Sequence, residues 1–370
     1  MGDLQIQLLP ESIISTWESE RFPIFFTPVY GCLITNKSTS IITIDKIRFK
    51  LSDESESYTE LELTAQFLEN MSKNISKHPQ FQELLDLIYR EIEKDQISGL
   101  FSLKLAENKS FSLVHTWLQS QFVPNSLLIQ IFYQKANNQY IEEYKADVGS
   151  YTQKNRYHFP ISGSSFILDG GDLRSSNHKM FDFQSNGLDI VKIFEDGKAY
   201  NNSYFDVKNH KCFGESVLSA CDGTVIKVTD GFSDEFNVEG LINGNFFLTL
   251  MKHRENRLSQ LNEQGSSLDY SLLGNSVVIQ HSNAEFSIYA HLKKNSIIVA
   301  EGQEVKTGQK LAEIGNSGSS IIPHLHFQVM NNESIYKSLA LPVVFSDITG
   351  QLLPIKRPLW TGDVIVKIES

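Results

Sequence analysis

Three of the ten histidines fall late in the chain in settings that could carry chemistry. They are His291 in YAHL, and His324 and His326 in PHLHF. His-Leu-His followed by Phe327-Gln328-Val329 reads as a strand. Residues i and i+2 on a strand face the same side, about 7 Å apart. Both imidazoles then line one surface, with Leu325 buried behind. A metal–nitrogen bond is only about 2.0–2.1 Å long, so one histidine can bind a metal while the other stands over a bound water. Spacing alone leaves a second reading open: two surface histidines on an edge strand.

The residues before the pair add to this. GNSGSSIIPHLHF resembles the signature of the LytM/lysostaphin-type zinc metallopeptidases, peptidase family M23, in which a Gly-Asn-x-Gly loop leads into Pro-His-Leu-His-Phe. YAHL, 33 residues earlier (324 − 291), resembles that family's single-histidine motif. SVLSACDGTVIKV resembles its strand–turn–strand signature, and EGQEVKTGQKLAEIGNSG its glycine-punctuated meander. The four blocks agree in order and spacing. The resemblance covers residues 160–345 and is absent from the N-terminal part.

What the resemblance implies is a Zn²⁺ site of two histidines and one aspartate, with water in the open position. Carried over, His326 is one ligand, and the other histidine lies upstream, where His178 in SSNHKMFDF is the candidate. Here the chain departs from the family's usual His-x-Gly-x-Asp. Asp182 has the spacing but lacks the glycine. Asp189 lies in Gly187–Ile193, which resembles a variant with a longer stretch between the histidine and Leu-Asp-Ile-Val-Lys. Leu188–Ile193 also reads as a strand, which would hold a ligand rigidly, whereas Asp182 lies among polar residues. Asp189 is therefore the expected ligand and Asp182 the alternative. His291 and His324 would flank the water and the scissile carbonyl as catalytic groups, one moving a proton and the other bonding the oxyanion.

The implied activity is a zinc endopeptidase cutting peptide bonds in peptidoglycan stem peptides or cross-bridges. The alternative is an inactive scaffold or activator of a cell-wall amidase, of the kind that has lost metal ligands. A lipoyl- or biotinyl-carrier hairpin also resembles the EGQEVKTGQKLAEIG stretch, but it would leave the histidine motifs without a purpose. The other histidines read as structural. His210 and His253 lie in basic polar stretches and read as surface, His281 closes a strand, His158 lies in a connection, and His78 and His115 stand alone. Arg174, four residues before His178, reads as solvated.

The elements that must position these groups are mainly β. Cys221–Val228 is an Asp-Gly turn feeding an alternating strand, and residues 301–318 are a tight meander. Residues 247–264 read as a helix in an insertion spanning about 240–272. The C-terminal domain, 151–370, is thus expected to be an antiparallel β-sheet domain of M23 type, barrel-sandwich-like, with a helical insertion. The stretch 134–165 is polar and weakly periodic and reads as a connection. Before it, residues 1–150 read as a β-sandwich-like accessory domain. Residues 24–51 give strand, turn, strand, and further strands are expected at Leu100–Leu105 and Leu127–Tyr133. An amphipathic helix is expected over 79–95, starting at Pro79.

Composition narrows the function classes. At roughly 100–200 residues per domain, 370 residues suggest two or three domains. Lys and Arg number 33 against 44 Asp and Glu, a net charge of −11. That balance argues against a nucleic-acid partner, whose affinity rests on neutralising phosphates. Cys32, Cys212 and Cys221 are too few for a disulfide framework and read as buried thiols. No apolar run has the length of a membrane-spanning helix. The opening MGDLQIQLLPESIISTW shows neither a Sec signal nor a myristoylation pattern. The expectation is a cytoplasmic chain or one exported by a non-classical route, and oligomeric state is not readable.

Overall fold

Ile42 and Ile44 point inward in alternation, then Ile47, Phe49 and Leu51 do the same, and all five are fully buried. The odd step between 44 and 47 would turn one set to solvent in a regular strand, because side chains alternate with a period of two. In the computed structural model a register shift between Ile44 and Lys46 supplies the extra residue and keeps both sets on the core face. The structure describes residues 2–17, 24–75, 102–171, 178, 182–194, 196, 198–202, 206–234, 272–350 and 355–368. They are mainly β and fall into two units, Met1–Thr152 and Gln153–Ser370.

In the first unit the strands run Leu4–Leu9, Phe25–Asn36, Ile13–Trp17, Asn138–Ser150, Ser126–Lys135, Ile42–Ser52 and Tyr58–Thr64 across the sheet. Ser110–Ser120 lies beside Phe25–Asn36, and Lys104–Leu105 beside Ile42–Ser52. Ile13–Trp17 joins two groups of strands, antiparallel to one and parallel to the other. Ile34, Phe111 and Leu113 from one group and Phe49, Ile129 and Ile131 from the other share one apolar core. Each such side chain contributes about 1.5–3 kcal/mol by leaving water. The expected strand–turn–strand over 24–51 is Phe25–Asn36 and Ile42–Ser52. The buried Asn36 amide closes its turn by donating to the carbonyls of Ser40 and Leu105.

One expectation needs correction here. The supposed connection after residue 134 is largely strand: Asn138–Ser150 pairs with Ser126–Lys135 along its length. Ala136 and Asn137 both take positive φ in the two-residue turn between them, as a type I′ hairpin requires. Most of that strand is exposed, so its apolar alternation is faint. The described helix is Ala65–Ile75, which sets Leu68 into the apolar core with Ala65 and Met71 packed beside it, and was not among the expected elements. The helices expected over 79–95 and 247–264 lie outside the described residues, as do Leu100 and Phe101.

The second unit contains an antiparallel sheet in the order Glu304–Val305, Gly223–Thr229, Asn275–Gln280, Phe286–Leu292, Leu325–Met330, Leu188–Lys192, Ser164–Asp169, Val364–Lys367 and Ile348–Gly350. Ser216–Leu218 and Lys310–Glu313 pair separately. One sheet face carries an aromatic chain in which Tyr289 meets Phe327, Phe327 meets Phe345, and Phe345 meets Phe159. The opposite face packs Ile288, Phe286 and Met330 under Phe183 and Ile335. On this second face the register sets Asp189, His326 and Ala290 side by side on three adjacent strands.

The three cysteines are free and buried. His210 is also buried, its ring 5.8 Å from that of Tyr200, and is not the surface residue its basic neighbours suggested. His281 closes its strand and caps the Asp-Gly turn, the structural role expected of it. Its Nδ1 lies 2.8 Å from the Asp222 carbonyl and its Nε2 lies 2.7 Å from Ser287 Oγ.

Candidate metal centre

Asp189 and His326 meet because their strands are hydrogen-bonded neighbours in register. His178 comes from the segment between the strands Ser164–Asp169 and Leu188–Lys192. His324 sits on Pro323, just before the strand that starts at Leu325. His291 is the next-to-last residue of its strand, Phe286–Leu292, and has φ +59, beside a register irregularity in the pairing with Asn275–Gln280. That left-handed backbone is disfavoured for a residue with a Cβ. It is held here by a hydrogen bond from the His291 N–H to the Leu273 carbonyl.

One carboxylate oxygen is the focus. Asp189 Oδ1 lies 3.0 Å from His326 Nδ1, 3.3 Å from His178 Nε2 and 3.3 Å from His324 Nε2. The rings of His178 and His326 stand perpendicular, 4.9 Å apart, and His291 lies 4.7 Å from His324 between centroids. Every imidazole also has an outward partner. His178 Nδ1 is 2.9 Å from the Gly187 carbonyl, His291 Nδ1 is 2.8 Å from that of Ser317, and His324 Nδ1 is 2.7 Å from that of Ile322. His326 Nε2 faces Gln328 Oε1 at 3.1 Å. Since a carbonyl oxygen only accepts, each outward nitrogen carries a proton, and the inward nitrogen is the one that can offer a lone pair to a cation once it holds no proton of its own.

The charges respond to this crowding. Burial alone would lower the His178 pKa, but the facing Asp189 carboxylate overrides it and holds the ring up at about 9. His324 is likewise raised against its burial by Asp189. Burial works to raise the Asp189 pKa, and the two imidazoles outweigh it, keeping the carboxyl well below its usual range. His291 is driven well below the ordinary histidine value by burial, reinforced by His324 and His326.

The donor set fits a zinc ion. His178, Asp189 and His326 each turn one ligand atom inward, all within 4.8 Å of one another, and form a group of metal-holding type among the described residues. Inward lone pairs at this distance repel unless protons or a cation lie between them. Two imidazoles and a carboxylate are a common ligand set for catalytic zinc. His324 lies outside that group of three. Its buried Nε2 feels the Asp189 charge, yet it has no hydrogen-bond partner in the structure. Asp182 is buried in the short turn Asp182–Gln184 and is not among the three converging donors.

Of the remaining sequence candidates, His158 pairs with Asp347 at 3.3 Å, and His115 packs edge-on to Tyr30. Arg174, His253 and His78 lie outside the described residues. Sequence reading passed over two contributors. Gln328 stands two residues after His326 on the same strand, so alternation alone would put it on the same face. Gly187 lends its carbonyl to His178, and a Cβ there would lie 2.8 Å from His326 Cε1 and 3.0 Å from the Gln184 carbonyl. We expect Gly187→Ala to push His326 out of line and lower zinc affinity at least about tenfold, as losses around a ligand do. Competition against a chromophoric chelator measures this, and unchanged affinity would show that the ring can yield.

Residues 262–337 match the sequence model of peptidase family M23. That span contains His291, His324 and His326 and follows His178 and Asp189. Over 57 residues the chain is 46% identical to the peptidoglycan DD-endopeptidase ShyA of Vibrio cholerae, covering 15% of this chain and 13% of that protein. It is 43% identical over 56 residues to the murein hydrolase activator NlpD of Escherichia coli, covering 15% and 14%. The matches thus span only about one seventh of those relatives' length. The catalytic domain of lysostaphin from Staphylococcus simulans aligns with 48% of this chain and 86% of its own, at 19% identity and a TM-score of 0.25. Within the C-terminal unit, residues 262–337 are thus similar in sequence to peptidase family M23.

Proposed function

We propose that the chain is a zinc-dependent endopeptidase acting on peptide bonds of peptidoglycan. The observation that carries this reading is the convergence of one ligand atom each from His178, Asp189 and His326, with the other ring nitrogens engaged by outward acceptors. The peptidoglycan substrate rests on the names of the relatives and on the resemblance of the sequence blocks. His178 Nε2, His326 Nδ1 and Asp189 Oδ1 would hold the ion, which supplies Lewis acidity toward a carbonyl oxygen and a water molecule.

The chain's own residues provide the rest. Asp189 contributes the one negative charge in the ligand set and leaves a net positive centre. The carbonyls of Gly187, Ile322 and Ser317 stop three imidazoles from rotating, so no reorganisation is needed when substrate arrives. His324 and His291 each have Nδ1 engaged by a main-chain carbonyl, and His324 turns Nε2 toward Asp189. Either ring can take a proton from an attacking water at Nε2, and a ring that holds it can bond the oxyanion or pass it to the leaving amine.

The likeness to NlpD favours a second reading, an activator that cuts nothing. Zinc content of the purified chain, with mass spectrometry of products from isolated peptidoglycan, separates the two. We expect about one zinc per chain and new peptide termini in the cross-linked fragments. Intact fragments beside a zinc-loaded chain would favour the activator, and absence of zinc would defeat the metal site.

A further inference from the structure

We infer that Gln328 is a positioning residue: it fixes the proton of His326 on Nε2 and thereby presents Nδ1 to the metal. For its metal readout this rests on the zinc reading above. The direction of the amide is set from its far side. Gln328 Nε2 donates to the Phe183 carbonyl at 2.7 Å, and a carbonyl can only accept. Oε1 must then face His326 Nε2, where it lies at 3.1 Å, and an acceptor in that position demands an N–H opposite. His326 is left with Nδ1 toward Asp189, 3.0 Å away. His326, Gln328 and Phe183 thus form a chain with a single sense of donation, and Nδ1, turned to the Asp189 carboxylate, is the nitrogen left for a metal.

Gln328 is the partner that is a side chain alone; each of the other imidazoles has a main-chain carbonyl, His324 with Ser320 Oγ beside it at 3.2 Å. His178, His291 and His324 donate outward to the main-chain carbonyls of Gly187, Ser317 and Ile322. These oxygens persist whatever side chains are present. His326 depends on a residue that substitution can remove. Packing does not call for an amide at this position. Gln328 is fully buried, Ile288 is its partner on the adjacent strand, and Met330 follows it on the same face. Methionine would fill the same space with less desolvation. The same surroundings show that the amide has a ligand-orienting use, as partners of metal-bound histidines commonly do.

The test compares Gln328→Met and Gln328→Glu with the parent chain. In metal-free protein, long-range proton–nitrogen NMR of the imidazoles reads whether His326 Nε2 is protonated. We expect Nε2–H in the parent, its loss in Gln328→Met as the proton moves to Nδ1 facing Asp189, and its return in Gln328→Glu. A carboxyl group can both accept from Nε2–H and donate to the Phe183 carbonyl. Zinc affinity should fall about 10- to 100-fold in Gln328→Met and recover to within a few-fold in Gln328→Glu. An unprotonated Nε2 in the parent chain overturns the inference, even if Gln328→Met fails to fold. So does a folded Gln328→Met that keeps Nε2–H and full affinity. A parent chain that binds no zinc would defeat the proposed function, while the proton on Nε2 still decides the role of Gln328.

Discussion

Replacing Asp189 with alanine is expected to abolish stoichiometric zinc binding, while Asp182→Ala keeps it. A ligand carboxylate must come within about 2 Å of the ion and be held there. Asp189 is held by a strand paired on both sides, to Leu325–Met330 and to Ser164–Asp169, with Leu188 and Ile190 buried on the opposite face. Its Oδ1 already lies within 3.3 Å of three imidazole nitrogens. Without it, two neutral histidines remain, one donor short of the usual protein set. A second readout needs no metal. The His178 pKa is held at about 9 because Asp189 outweighs burial. In Asp189→Ala burial is opposed only by the Asp169 charge and the Gly187 carbonyl, and the ring should titrate well below its parent value. Metal analysis and NMR titration of His178 check the two effects. Should Asp182→Ala alone empty the site, the ligand would be Asp182, and the register of Asp189 with His326 would be structural.

The ingredients of this site were legible in the sequence, but their assembly was not. His-Leu-His was read as two imidazoles on one face of a strand, and both do reach Asp189. Yet the strand starts at Leu325, and His324 is aimed by the Ile322 carbonyl instead of by pleating. The choice between the two aspartates depended on recognising Leu188–Lys192 as a strand, which its apolar residues allowed. That its neighbour would be Leu325–Met330, with Asp189 opposite His326, is a long-range pairing that local periodicity does not encode. His210 was misread for a related reason. Lysines around it suggested a surface, whereas burial is decided by what folds over a residue, here including Tyr200. Asn138–Ser150 was missed because a mostly exposed strand shows little apolar pattern, even when paired along its length.

His324→Ala and His291→Ala are expected to keep zinc and to lose roughly 10²- to 10⁴-fold in turnover, the usual worth of one acid–base or oxyanion group. The argument starts from what each nitrogen lacks. His178 Nε2 and His326 Nδ1 belong to the tight group with Asp189 that fits one ion. His324 Nε2 approaches Asp189 but falls outside that group, and it is buried with no hydrogen-bond partner. Its contact with the Asp189 carboxylate leaves it able to hydrogen-bond a bound substrate or water. His291 is one ring further out, 5.9 Å from His326 between centroids, and is kept aimed inward by the Ser317 carbonyl. Neither ring is needed to close the coordination, and both border the space where a scissile bond would sit. Removing either should therefore leave metal content unchanged and lower kcat more than it raises KM. Loss of zinc from His324→Ala would instead make its Nε2 a fourth ligand. The centre would then be closed, as structural zinc sites are, and the endopeptidase reading would yield to the activator.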